Sequence, residues 1–350
     1  MWEGSAMPGK ALGDWLDEAG GSPAVRSTIL ALARAAVSVS GELQSGALSL
    51  APSDLRGVRP AVDDERKTLE RFGNECFLEE ARGAPVALFA SGEHQHPEML
   101  DPTAPLAVAM DSLDGSTNID TNMPVGTVFA ILPVAGDVGV DPLPSLLQPG
   151  ANQVAAGFFC YGPRLALAIT LGQGTHVFIY GPRVGAFLRS HVQVQIPPKT
   201  DEFAVDISNQ RHWDSAIRHY VDDCIHGSEG PHGRDFTMRW TASLVADAYR
   251  ILVRGGVFLY PGDRREARGH DRPRLVYQAN PIAFLVEQAA GLATDGVNPI
   301  LTQIPRSLHQ TTPLVFGSSA EVSQVVRYHG EIDHAGIHSP LFSSRGLFRK

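Results

Sequence analysis

Two carboxylates three residues apart, Asp111 and Asp114, close the apolar run in PLAVAMDSLDGSTNI (residues 105–119) and are followed at once by Gly115, Ser116 and Thr117. Such a set can hold a divalent cation and a phosphate together, because hard cations take oxygen ligands and commonly keep a substrate phosphate among them. Gly115 lets the backbone approach an anion, and the N–H groups and hydroxyls after it can donate to phosphate oxygens. The apolar run predicts a buried strand, and its abrupt end predicts a loop over the strand's carboxyl end, where open α/β sheets bind ligands. A solvated turn is the alternative reading, since Asp, Gly, Ser and Asn all favour turns. It leaves unexplained why the acids follow directly on a buried strand.

The elements that must carry this loop can be read around it. Val25, Ile29, Leu30, Ala33, Ala36, Val37 and Val39 recur at helical spacing over residues 24–43, and Ser22-Pro23 suits a helix start. A second helix is predicted over 64–81, with Leu69, Phe72, Cys76 and Phe77 inward, followed by a strand over 84–90. Beyond the acidic loop, apolar runs at 125–133, 155–161, 165–171 and 176–180 predict a meandering sheet, with 142–152 a loop. Pro197-Pro198-Lys199-Thr200 interrupts the strand pattern and marks a boundary. After it, strands (203–207, 256–260, 313–317) mix with helices (212–224, 241–253, 280–290, 320–329), which implies a parallel or mixed sheet covered by helices. The expected organisation is α/β (α+β): an N-terminal lobe over 1–196 with the acidic loop, a C-terminal lobe over 197–331, and an irregular tail over 332–350.

Composition narrows the partners. With 350 residues, 43% of them hydrophobic, there is material for two closely packed lobes. A formal charge of −9 argues against nucleic acid or an anionic membrane as a partner. Cys76, Cys160 and Cys224 match no zinc spacing and read as buried thiols. No secretory pattern opens the chain, and no apolar stretch approaches the ~20 residues that span a bilayer, so a cytoplasmic protein is expected.

Residues 111–120 (DSLDGSTNID) with 124–132 (PVGTVFAIL) resemble the signature loop and following strand of class I fructose-1,6-bisphosphatases. Further segments resemble the same family in the same order: 147–157 (LQPGANQVAAG), 203–213 (FAVDISNQRHW), 238–251 (MRWTASLVADAYRI), 255–261 (GGVFLYP), 274–291 (RLVYQANPIAFLVEQAAG) and 307–317 (SLHQTTPLVFG). The resemblance implies a layered sugar-phosphatase fold of alternating helix and sheet layers, a homotetramer, and Mg²⁺-dependent removal of the 1-phosphate of fructose 1,6-bisphosphate. It also implies residue roles. Asp111, Asp114 and the Leu113 carbonyl take metal-ligand positions, and Asp114, Gly115, Ser116 and Thr117 take phosphate-cradle positions. Asp64 corresponds to a catalytic-loop aspartate, although an acid there also suits a helix amino terminus. Tyr260 and Arg272 correspond to positions that contact the sugar and its phosphate, and Arg239 to one that reaches the 6-phosphate in a neighbouring subunit.

Several positions depart from the family pattern. Gly92 stands where the family carries a metal-bridging glutamate, leaving Glu93 as the remaining acid. Gln278 stands at a metal-ligand glutamate position; its amide oxygen can coordinate but brings no charge. Glu70 replaces an aspartate of the catalytic machinery, and Asp206 replaces a substrate-contacting asparagine that Asn209 is placed to substitute. His94 and His96 offer imidazole ligands that would favour Mn²⁺ over Mg²⁺, against the plainer reading of two solvated histidines. The expectations are therefore an active phosphatase, a degenerate paralogue that binds sugar phosphate in a regulatory role, or a phosphatase for another bisphosphate such as sedoheptulose 1,7-bisphosphate.

Overall fold

Asp111 and Asp114 lie at the end of a strand, β3 (Leu106–Asp114), buried at every position except Asp111. A computed structural model describes residues 9–45, 62–262 and 272–338, with the side chains at 62–65 and 331–338 left out. Across the sheet that holds β3 the order is β2 (Glu98–Met99), β1 (Val86–Ser91), β3, β4 (Val125–Pro133), β5 (Ala155–Tyr161), β6 (Leu165–Thr170), β7 (Thr175–Gly181) and β8 (Ala186–Val194). Only the β1–β3 pair is parallel, so β3 to β8 form the expected meander.

Helices α1 (Leu12–Glu18), α2 (Pro23–Ser45) and α3 (Val62–Arg82) cover one face of this sheet. Ile29, Leu32, Ala36 and Phe77 meet Phe129 and Phe159 in a core that excludes water. The run expected as a loop over 142–152 includes one short helix, α4 (Leu143–Leu146). The second half contributes α5 (Ser215–His226), α6 (Leu244–Arg254), α7 (Asn280–Glu287) and α8 (Ser319–His338). It also contributes a mixed sheet in the order β10 (Thr237–Met238), β9 (Glu202–Ala204), β11 (Val257–Tyr260), β13 (Leu314–Gly317), β12 (Leu292–Thr294).

Helices α6 and α7 lie between the two sheets: Val245, Ile251, Ile282 and Leu285 share one core with Val128 and Phe158 from the first sheet and Phe258 and Phe316 from the second. Helices α5 and α8 cover the far face, where Tyr220, Val221, Val322 and Val325 pack on Leu259 and Val315. The order is helix, sheet, helix, sheet, helix.

Four local expectations are revised. Helix α6 starts at Leu244 rather than 241, because Ser243 caps it by accepting from the Ala246 N–H, and Ala242 sits at φ 55°. The helix expected over 280–290 is present as α7 but ends at Glu287, and an unexpected wide π-helical turn, Leu275–Ala279, leads into it. Strand β8 was not expected; its mixture of half-buried and exposed residues gives little apolar signal. The last helix continues to His338, so residues 332–338 are helical rather than irregular. Residues 339–350 of the expected tail lie outside the described residues, as does the side chain of Asp64, which stands in the first turn of α3.

Candidate active site

The end of β3 is clamped by the second half of the chain. Asp114 is 6% exposed and accepts the backbone N–H groups of Leu244 and Val245, the first residues of α6. A helix amino terminus stabilises an anion there. Gly126 of β4, in register with Asp114, makes the approach feasible, because a methyl group on it would collide with the Val245 side chain and the Phe159 carbonyl.

Asp111 accepts the Leu113 N–H, and the Gln278 amide nitrogen bridges both acids, 2.7 Å from Asp111 Oδ2 and 2.7 Å from Asp114 Oδ1. Burial pushes both carboxyls above the usual range; at Asp111 the Asp114 charge raises it further, while Gln278 and the helix N–H groups hold Asp114 down. Asp114 Oδ2 is buried without a hydrogen-bond partner. The Arg274 charge offsets part of this at Asp111; two acids held this close remain costly unless a cation joins them.

The π-helical turn fixes which end of Gln278 faces the acids. Its Oε1 accepts the Arg274 N–H at 2.8 Å, so the nitrogen is directed inward. The amide oxygen expected to coordinate a metal is thus engaged by the backbone. The Arg274 guanidinium crosses to donate to the Gly92 carbonyl at 2.7 Å, filling the space that a side chain at position 92 would need.

The phosphate cradle follows directly. Gly115 takes the left-handed conformation at φ 74° and opens a single 3-10 turn, Ser116–Asn118. Ser116 is half-buried, Thr117 is exposed, and buried Asn118 donates to the carbonyls of Thr241 and Ala242 at 3.4 and 3.2 Å. The loop is therefore held to the segment that caps α6.

A cavity in the second lobe collects Asp206, Asn209, Tyr260 and Arg272 with Trp213 and Trp240. Trp240 stacks on Phe258. Asp206 does not present a bare charge: Oδ1 accepts the Ser208 N–H and hydroxyl, and Oδ2 accepts the Asn209 amide at 2.5 Å. Arg239 stands outside this lining, exposed and paired with Glu202 at 2.6 Å.

Glu93 is exposed; partial desolvation and the nearby Glu70 charge raise its pKa. Glu70 itself faces Arg66 one turn earlier on α3. The imidazole alternative is not assembled: His94 lies between Asn74 and Glu98, at 3.3 and 3.2 Å, and His96 is exposed. Among the described residues no three His, Cys, Asp or Glu side chains converge as a metal cluster. The two aspartates, with the unpartnered Asp114 oxygen, fit one cation. Arg274 and Asn118 were not singled out from the sequence; their signals are a cation four residues before Gln278 and an amide directly after the cradle.

Comparison with known proteins agrees with this geometry. Residues 31–192 match the fructose-1-6-bisphosphatase N-terminal domain and residues 196–330 the C-terminal domain. A fructose-1,6-bisphosphatase class 1 of Sinorhizobium medicae (strain WSM419) is 52% identical over 325 residues, 93% of each chain, and one of Rhizobium meliloti (strain 1021) is 51% identical over the same length. The crystal structure of Leishmania major fructose-1,6-bisphosphatase in holo form superposes with a TM-score of 0.81 at 25% identity, covering 93% of this chain and all of that one. With both halves matched and half of the residues shared with these relatives, the chain belongs to the class 1 fructose-1,6-bisphosphatase family.

Proposed function

We propose that the chain hydrolyses the 1-phosphate of fructose 1,6-bisphosphate to give fructose 6-phosphate and phosphate, with Mg²⁺ as its ion and Mn²⁺ as a substitute. The observation that carries this reading is the pair Asp111 and Asp114 at a strand end, with a buried Asp114 oxygen lacking a partner, directly before the Gly115–Thr117 cradle. The family is metal-dependent. Asp111, Asp114 and the Leu113 carbonyl would hold the ion, with Glu93 at the rim. A bound divalent cation lowers the pKa of water and neutralises phosphoryl charge.

The chain's own groups do the rest. Ser116, Thr117 and the backbone N–H groups of their turn hold the reacting phosphate. Arg272, Tyr260 and Asn209 hold the far end of the sugar, fixing the distance between the two phosphates. Glu93, whose pKa is raised by desolvation and by the Glu70 charge, takes the proton of the attacking water. Arg239 reaches a neighbouring subunit's substrate within a homotetramer, and the protein works in the cytoplasm. No helix among the described residues is long and apolar enough to cross a membrane.

Phosphate release from fructose 1,6-bisphosphate, with Mg²⁺, Mn²⁺ or EDTA and with sedoheptulose 1,7-bisphosphate as competitor, tests the proposal. Turnover abolished by EDTA and fastest on the fructose ester is expected. Sugar-phosphate binding without turnover in either ion would favour the degenerate regulatory reading, to which the Gln278 amide lends some weight.

A further inference from the structure

We infer that Arg274 and Gln278 form a built-in counter-charge within the metal site, so that the enzyme holds one divalent cation per subunit, on the Asp114 side, rather than a cluster. The inference rests on the metal-dependent reading above and concerns only how many ions that site takes.

The Gln278 amide nitrogen stands between the two acids, 2.7 Å from an oxygen of each, so a donor occupies the space they share. It cannot turn its oxygen inward without cost, because Oε1 accepts the Arg274 N–H; a reversed amide would oppose two donors and lose two charge-assisted hydrogen bonds. The second observation is Gly92. Arg274 Nη1 donates to its carbonyl, and the point where a Cβ would stand lies 3.4 Å from Arg274 Cζ and 4.0 Å from Asp111 Oδ1. Guanidinium and carboxylate thus flank the same spot, and a fixed positive charge there opposes a second divalent ion. Gly92 leaves room for the guanidinium here; a Cβ would collide with Arg274 Nη1, so a side chain at this position would require the guanidinium to shift. The third is asymmetry between the acids. Asp114 Oδ2 is buried without a hydrogen-bond partner, an oxygen left for one cation on that side.

The neutralising device is local and self-consistent. The same π-helical turn supplies the Arg274 N–H, the Arg274 guanidinium and the Gln278 amide, so one backbone geometry sets all three donors.

Equilibrium dialysis of the full chain against Mn²⁺ with inorganic phosphate present, metal being counted by mass spectrometry, should saturate at one ion per subunit. Gln278→Glu replaces the inward donor with an oxygen and should raise the count to two. Arg274→Met should tighten Mn²⁺ binding by about tenfold through loss of the repelling charge. Two or more ions at saturation on the unaltered protein overturns the inference, whatever the variants do; so does a count that stays at one in Gln278→Glu with unchanged Mn²⁺ affinity in Arg274→Met. Phosphate release from the same preparation separates the two readings. One ion without turnover removes the hydrolase and leaves the counter-charge, and turnover with two ions does the reverse.

Discussion

At the residue scale, partners decide what a charge does. Asp206 lines the cavity beside Arg272 proposed to hold the sugar's far phosphate, where a free carboxylate would repel that ligand, yet Ser208 and Asn209 donate to both of its oxygens. Its residual field still opposes a phosphate. Asp206→Asn keeps an acceptor for the Ser208 N–H and removes the charge, so KM for fructose 1,6-bisphosphate should fall by about threefold with kcat unchanged, an effect of about 0.7 kcal/mol that shrinks with added salt. Steady-state kinetics at two ionic strengths checks it; a KM that rises would mean the carboxylate serves by orienting Asn209. The acids at 111 and 114 were legible because an apolar run ending in carboxylates has few bland explanations. The orientation of Gln278 was not legible, since an amide can offer either end, and the deciding atom is the backbone N–H of Arg274.

At the scale of elements, what escaped the sequence was structure without an apolar period. The π-helical turn at Leu275–Ala279 lies ahead of the helix expected over 280–290 and goes unread, and β8 is too polar to announce itself. Helix α1 also went unread, and it docks through an unusual contact: Trp15 packs on His176, ring centroids 4.9 Å apart, and His176 Nδ1 accepts the Gln193 N–H at 3.3 Å. Burial, helped by the Arg189 charge, pushes His176 down to about 4 from an ordinary 6.5. Because the folded value is depressed, the unfolded chain binds the extra proton as pH drops. The stability tied to neutral His176 is complete above pH 6.5 and is lost progressively down to about pH 4, at most about 3 kcal/mol. His176→Gln keeps an acceptor but does not titrate. Its urea midpoint should decline less steeply than that of the unaltered protein across this interval, the two aspartates contributing equally to both; identical slopes would sink the assignment.

At the scale of the molecule, the central helical layer joins the two sheets into one mechanical unit. Asp247, fully buried in α6, accepts the Thr241 hydroxyl at 2.8 Å and faces Arg250 at 3.4 Å; Arg250 holds Glu202 at 2.7 Å, and Glu202 holds Arg239. This chain of ion pairs runs from the segment that grips Asn118 to the exposed Arg239. Asp247→Asn should therefore lower kcat about tenfold with little change in KM, and reduce stability by about 3 kcal/mol, through slackening of the 241–243 segment rather than loss of a ligand contact. Kinetics paired with denaturant unfolding distinguishes this from simple destabilisation, which would leave kcat per folded molecule intact. The alternation of strands and helices after residue 200 made the covered sheet legible. The stacking order was not, because strands such as Ala155–Tyr161 are buried at every position and do not say which helix lies on which face.

The grip of Leu244 and Val245 on Asp114 has a consequence for synthesis at the ribosome. The acid at the heart of the site is translated some 130 residues before the N–H groups that hold it. A nascent chain can complete its first sheet and still lack an assembled centre, so catalytic competence arrives only when α6 has left the exit tunnel, and premature termination upstream of it yields silent fragments.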